Sequence, residues 1–344
     1  MYQRIDMVFG RIFWYNRKDG YRQRKCRRQR EIRTEGGKFA VERLEFLKNQ
    51  GIREELQRGV EEFRRAYSGQ QTEPDRVQKP EVLFFGREIL EMAIAALLEG
   101  ENLLLTGEKA TGKNVLAETL AWIFERPAYT VSFHVNMGSA ELIGTDTFRN
   151  NEVTLREGSV SRCARAGGFG ILDEINMAKN DAVSVLHAML DDRRIIDVPG
   201  YDRILLHPAA RFIGTMNYGY AGTRELNEAL VSRFLVIDMP MQNEETLGYL
   251  MDTMFPGMKK EAKKAFVGLY LDLQKKAEQA EISTKALDLR GLIGALRTVR
   301  AGLSPWQAVK MGIVNKCFDI YEREIVQDAA MTRIPLDWSK GDVF

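Results

Sequence analysis

Cysteine and histidine are scarce in this chain: among 344 residues there are three of each. Cys26, Cys163 and Cys317 lie far apart, which excludes a disulfide framework and suits a reducing compartment. A cytoplasmic location is therefore expected. The histidines show no metal-ligand spacing, so no zinc site is expected. No apolar run approaches the roughly 20 residues that cross a bilayer. The stretch Met7 to Tyr15 is short, is interrupted by Arg11 and lacks a small-residue cleavage site, so neither a signal peptide nor a membrane partner is expected. Charge of one sign is also lacking overall: 50 basic against 48 acidic residues leave +2.

That balance hides one concentrated run. Arg17, Lys18, Arg22, Arg24, Lys25, Arg27, Arg28, Arg30 and Arg33 fall within seventeen positions, with Tyr21 among them. Such a run repels itself and suits an anionic partner, nucleic acid included, or simply stays a solvated arm. Beyond it, Leu44, Leu47, Ile52, Leu56, Val60, Phe63 and Tyr67 recur at near-helical spacing, the pattern of an amphipathic helix or helix pair broken at Gly51. The polar stretch Ser68 to Asp75 reads as a linker.

What organises the rest is Gly107-Glu108-Lys109-Ala110-Thr111-Gly112-Lys113-Asn114. An apolar run, Asn102 to Thr106, precedes it, and Val115 and a helical pattern follow. Glycines let such a loop curl so that backbone N–H groups face a phosphate, with the next helix adding its positive end. Lys113 would reach the β- and γ-phosphates as a point charge. The usual Ser or Thr metal ligand is replaced by Asn114, whose amide carbonyl can ligate a hard cation directly or through water. An ordinary glycine-containing strand-to-helix turn would carry similar letters. The strand before and helix after are the context the motif requires.

A second apolar run, Gly168 to Leu172, ends in Asp173 and Glu174, two carboxylates at the carboxyl end of a buried strand. Asp173 would hold Mg²⁺ and Glu174 would polarise the attacking water. A third run, Arg211 to Met216, ends in Asn217, whose amide can bond both a γ-phosphate and a hydrolytic water. Tyr129 to Val135 and Leu235 to Asp238 read as further strands. Phe84-Phe85 reads as core, or as the wall of a base pocket. A helix is expected from Glu88 to Glu99, another from Asn176 through Leu190 with His187 partly buried on it, and Arg233 at a helix end. Hairpins are expected over Leu142–Leu155 and Arg193–Leu206.

The order GEKATGKN, GFGILDEINMA, RFIGTMN, ELNEALVSRF resembles the AAA+ ATPases, and within them the MoxR-like group, which is similar to the McrB branch. The resemblance spans about Pro80 to Arg333. It implies an α/β fold: a P-loop core with a parallel sheet over 80–239, a small all-α lid over 240–333, a basic and helical extension over 1–79, and a tail over 334–344. The tail itself carries no readable pattern. One further lid helix is expected from Trp306 to about Glu324.

The resemblance also implies an ATPase using ATP and Mg²⁺. Gly107, Glu108, Lys109, Ala110, Thr111, Gly112, Lys113, Asn114 and Val115 would bind nucleotide, and Asp173 with Asn114 would bind the metal. Lys113, Glu174 and Asn217 would act at the phosphates. Arg233 would act in trans on the next subunit, and Arg290 would be a second sensor on the lid. The two hairpins would contact the substrate. A homo-oligomeric ring, a hexamer, is implied, with a protein client that carries a von Willebrand A-type domain. Two other readings fit the same residues: a nucleic-acid-directed motor anchored through 17–33, and a nucleotide-binding scaffold of weak turnover.

Overall fold

The apolar runs pair with one another, all in parallel. In the computed structural model, which describes residues 42–69, 73–149, 151–217 and 225–344, the strands are β1 (Leu103–Gly107), β2 (Ala128–Ser132), β3 (Gly144–Arg149), β4 (Glu152–Glu157), β5 (Phe169–Asp173), β6 (Ile195–Ile196), β7 (Ile204–Leu205), β8 (Arg211–Asn217) and β9 (Leu235–Asp238). Five of them form one sheet in the order β2-β5-β8-β1-β9. Every residue of β1 is buried, as a strand covered on both faces requires, which is why it reads as an unbroken apolar run. From β1 the chain moves to the far edge at β2 and works back, while β9 lies on the other side of β1. The strand order thus reverses at β1, and the carboxyl end of a strand at such a switch point is where α/β sheets place their ligands.

The contacts divide the chain into two units, residues 1–52 and 53–344. Among the described residues the first contains the helix α1 (42–49). The basic run 17–33 lies outside the described residues. The second unit holds the sheet and its flanking helices: α2 (Glu54–Ala66), α3 (Arg87–Leu98), α4 (Lys113–Ile123), α5 (Ser139–Ile143), α6 (Ser159–Ala166), α7 (Asn180–Val183), α8 (His187–Leu190) and α9 (Glu228–Val231). Beyond β9 it is all helical: α10 (Glu244–Met254), α11 (Lys260–Glu278), α12 (Leu289–Arg300), α13 (Pro305–Gly312), α14 (Ile320–Arg333) and α15 (Lys340–Val343). The sheet and these later helices have separate apolar cores, the first around Leu104, Leu172 and Phe212, the second around Leu247, Phe266 and Leu296. No helix among the described residues is long and apolar enough to cross a membrane. Cys163 and Cys317 are buried, unbridged thiols.

Several elements differ from the sequence pattern for definite reasons. The expected helix from Asn176 to Leu190 is broken into a 3-10 turn (Ile175–Met177), α7, a second 3-10 turn (Ser184–Leu186) and α8. Val183 and Val185 favour helix weakly, and burial of Ala182, Val183, Leu186, Met189 and Leu190 in one core decides the path. Leu142 and Ile143 are buried in α5 rather than in the first hairpin. That hairpin starts at Gly144, where φ is +145° and a Cβ would lie 2.6 Å from the Arg156 carbonyl oxygen, so glycine is required.

The helix expected over Trp306 to Glu324 is two helices. Gly312 ends α13 against Gly291 of α12, where a Cβ would sit 2.5 Å from the Gly291 carbonyl. Asp319 then caps α14, accepting from the Glu322 amide at 3.0 Å. The residues set apart as a tail pack inward: Ile334 and Val343 are fully buried in the same core, with Trp338 and Phe344 against it.

The described residues just before Pro80 are anchored at Glu73 and Arg76. Glu73 is gripped by Arg162 of α6 (2.7 and 2.8 Å) and by Arg76 (2.6 Å); the Arg162 bond foremost holds its carboxyl below the usual range. Arg76 lies over the Tyr129 ring at 4.6 Å and donates to the Ala128 carbonyl. The segment thus runs along the edge strand β2. Two buried arginines tie helix ends instead of carboxylates. Arg126 donates to the Ala166 and Gly167 carbonyls at the end of α6 (2.9 and 2.6 Å), and Arg211 to the Leu97 carbonyl of α3 (2.7 Å). Desolvation draws the Arg211 guanidinium down to about 10.

Candidate functional site

At the end of β1 the chain turns through three residues with positive φ: Gly107 (+142°), Ala110 (+68°) and Gly112 (+90°). A Cβ at Gly107 would meet the Met239 carbonyl oxygen at 2.9 Å, so close packing and backbone shape both demand glycine. Gly112, left-handed, starts α4. Thr111 is buried and donates to the Glu108 carbonyl (3.0 Å), closing the loop on itself. Lys113 points into this loop. Its Nζ donates to the Gly107 carbonyl (2.9 Å), the Glu108 carbonyl (2.6 Å) and Thr111 Oγ1 (3.2 Å), and its side chain is only 7% exposed. Desolvation pulls the amine down to about 8, against the opposing pull of Asp173, Glu174, Glu108 and Asp238.

The neighbouring strands bring the other groups to the same end of the sheet. β1 and β8 pair in register so that Gly107 lies opposite Asn217. β5 pairs with β8 as far as Leu172 opposite Gly214. Beyond that point side chains take over. Thr215 Oγ1 donates to Asp173 Oδ1 at 2.7 Å and accepts the Glu174 amide at 3.0 Å. Glu174 is left-handed, φ +55°, which turns its carboxylate off the line of β5. There Asn217 Nδ2 donates to Glu174 Oε1 at 3.2 Å, while Asn176 Nδ2 donates to the Asn217 carbonyl at 2.8 Å.

These groups line one cavity of about 690 Å³. Lys109, Ala110, Thr111, Gly112, Lys113, Asn114, Val115, Asp173, Glu174, Asn217 and Arg290 all face it. Gly107 and Glu108 form the back of the loop and meet Lys113 through their carbonyls. Arg290, exposed, is the second residue of α12, whose N-terminus is capped by Asp288 through the Gly291 amide (3.1 Å). Arg233 does not line the cavity. Its guanidinium is held within its own chain by the His187 carbonyl (3.2 Å), Asp191 (3.4 Å) and the Ala229 carbonyl. His187 is half-buried, and desolvation lowers its pKa.

The cavity's other walls were only partly visible in the sequence. Phe84 and Phe85 line it. Phe85 stacks on Tyr249 of α10, with centroids 4.6 Å apart and planes 25° from parallel, and Glu81 pairs with Arg297 of α12 at 2.6 Å. The segment preceding α3 and the helical part therefore share a wall of the cavity. Thr215 and Asn176 lie inside the strings RFIGTMN and GFGILDEINMA, but neither string declares the partner that each residue bonds.

As a metal site, Asp173 and Asn114 offer oxygen donors only. No cluster of three His, Cys, Asp or Glu able to hold an ion occurs among the described residues. Two oxygen donors would suit Mg²⁺, which takes one or two protein oxygens and completes its shell with phosphate and water.

Comparison with known proteins agrees with this geometry. Residues 102–234, from the start of β1 to the threshold of β9, match the model of the AAA domain (dynein-related subfamily). YojN of Bacillus subtilis (strain 168), described as uncharacterized, is 33% identical over 249 residues, 71% of this chain and 82% of that protein. The uncharacterized SERP0979 of Staphylococcus epidermidis is 29% identical over 247 residues, 70% of this chain and 94% of its own. SAB1265c of Staphylococcus aureus (strain bovine RF122 / ET3-1), also described as uncharacterized, is 29% identical over 235 residues, 67% and 89% of the two chains. The matched span holds the loop, the acidic strand end and the amide-ended strand that converge at the switch point of this sheet, and the chain belongs to the AAA family.

Proposed function

We propose that this protein is an ATP-hydrolysing member of the MoxR-like group that works as a ring of identical subunits, a hexamer, and remodels a protein partner. The observation that carries the reading is the convergence of Lys113, Asp173, Glu174 and Asn217 on one cavity. Phosphoryl transfer to water needs positioning and charge neutralisation more than covalent help, and these four groups have that chemistry. The Lys113 amine exchanges loop carbonyls for phosphate oxygens. Glu174 accepts a hydrogen bond from the attacking water and orients it. The Asn217 amide, already on Glu174, holds that carboxylate beside the terminal phosphate. Mg²⁺, held by Asp173 and Asn114, supplies neutralisation of phosphate charge when bound. Arg290 faces the same cavity and acts as the lid's sensor of nucleotide.

Action on a protein is supported by the first hairpin. Phe148 and Val153 face each other across β3 and β4 and are 70% and 60% exposed. On the proposed reading this exposed apolar pair is where the hairpin meets its client. The second hairpin is tied to the first, since the Tyr201 hydroxyl donates to Asp146 at 2.8 Å, so the two contact a client together. A client with a von Willebrand A-type domain follows from the group resemblance.

Ring assembly tests the reading. Glu174→Gln protein, mixed with ATP and weighed by mass photometry, is expected to shift from single chains to closed rings of several subunits. Chains that stay single at saturating ATP would contradict it.

A further inference from the structure

The backbone ladder between β5 and β8 ends at Leu172 and Gly214, and Asp173, Glu174 and Asn217 lie past that end. Asp173 is still paired with β2 and Asn217 with β1, so what joins the two strand ends to each other is side-chain bonding. The geometry points to Thr215 and Asn176 as positioning residues that brace the acidic strand end against Asn217, setting the distance between the water-orienting carboxylate and the amide beside it. This rests on the hydrolytic reading above for its consequence, and on four side-chain bonds for its geometry.

Thr215 is 1% exposed, and its hydroxyl is used in both senses. It donates to Asp173 Oδ1 (2.7 Å) and accepts the Glu174 N–H (3.0 Å). The first bond fixes the Asp173 rotamer. The second holds the peptide before Glu174, at the residue whose left-handed backbone (φ +55°) a non-glycine side chain disfavours and which surrounding contacts must therefore enforce. Without that turn Glu174 would continue the line of the strand, where successive side chains alternate faces.

Asn176 acts from the other side. It is 3% exposed, stands in the 3-10 turn just after Glu174, and its Nδ2 donates to the backbone carbonyl of Asn217 (2.8 Å). This ties the end of β8 to the turn that carries Glu174. The Asn217–Glu174 contact at 3.2 Å is then the product of two ties, one on each backbone. Neither brace residue need touch the nucleotide to act.

A hydroxyl, not bulk, is what Thr215 supplies. Thr215→Val keeps the shape and removes both bonds, while Thr215→Ser keeps the bonds and removes a methyl. ATP turnover and binding of a fluorescent ADP analogue are measured for both, and for Asn176→Ala. Thr215→Val and Asn176→Ala are expected to lose about 10–100-fold in kcat, the range typical of groups that orient the acting residues. KM and ADP-analogue affinity stay near wild type, and Thr215→Ser recovers most of the loss. Loss in Thr215→Ser equal to that in Thr215→Val, or an unchanged kcat in both Thr215→Val and Asn176→Ala, overturns the brace. Absence of turnover in the wild-type protein would instead sink the hydrolytic reading. The brace is then judged by the crystal structure of Thr215→Val, where the Asn217–Glu174 contact is expected to be lost; its retention overturns the inference.

Discussion

Glu174→Gln is expected to lower kcat for ATP hydrolysis by about 10²–10⁴-fold, the contribution typical of a positioned general base, while leaving nucleotide binding intact. The substitution is close to isosteric. A glutamine carbonyl oxygen can still accept from Asn217 Nδ2, so the contact now made at 3.2 Å by the carboxylate survives. Glu174 is exposed at the cavity wall, and its backbone amide, which keeps the Thr215 bond, is untouched. What disappears is the negative charge and its ability to polarise water. Affinity for ATP should hold or rise, since one of the carboxylates facing the phosphates has been neutralised. Single-turnover hydrolysis and equilibrium binding on one preparation separate the two effects. A kcat within tenfold of wild type would move the water-activating role to another group.

Arg233→Ala is expected to cost more, about 10³–10⁵-fold in kcat, the range for an arginine that meets the transferring phosphoryl group. On the proposed ring, its effect comes from a different chain. The Arg233 guanidinium does not line its own cavity and is engaged by Asp191 and by the His187 and Ala229 carbonyls. In a ring, a neighbour's phosphates compete with those partners for it. This gives a sharp complementation test. Arg233→Ala chains keep Glu174, and Glu174→Gln chains keep Arg233. Mixed together they form some interfaces with both groups intact, so a mixture of two inactive proteins regains activity. No recovery on mixing, or normal turnover in Arg233→Ala alone, would remove the trans assignment.

The parts of this molecule that were legible in the sequence are those governed by local pattern. β1, β5 and β8 are apolar runs because the sheet buries them, and the loop from Gly107 to Lys113 is marked by the glycines its backbone needs. The order of these segments implied a single crevice, and eleven of the expected nucleotide, metal and phosphate-acting residues do line one cavity. What stayed hidden depends on partners distant in sequence. Glu73 looked like linker because its grip, Arg162, is 89 positions away. The Glu81–Arg297 pair spans 216 positions, so the segment before α3 gave no hint that it joins the helical part. Ile334 and Val343 looked like tail because an isolated pair of apolar residues has no period, yet both complete a core assembled from α10 to α14. The helix break at Gly312 was missed for the same reason, since packing against Gly291 outweighs a helical period, while around Ser184 the buried residues keep helical spacing and only the weak helix formers Val183 and Val185 mark the interruption.

The central claim, that one triphosphate is gripped where Lys113 meets the acidic strand end, is tested most directly by calorimetric titration of ATP into the pure protein across a range of pH. The free amine titrates at about 8 because it is desolvated. Phosphate oxygens stabilise its charged form, so the bound state holds the proton to higher pH. Below about 8 the lysine is charged in both states and affinity is flat. Above it, binding must take up a proton, and affinity should fall by up to about tenfold per pH unit. Saturable binding that weakens in this way, and that collapses at every pH in Lys113→Ala, is the expected result; no saturable binding of adenine nucleotide, or affinity indifferent to Lys113→Ala, would contradict the account.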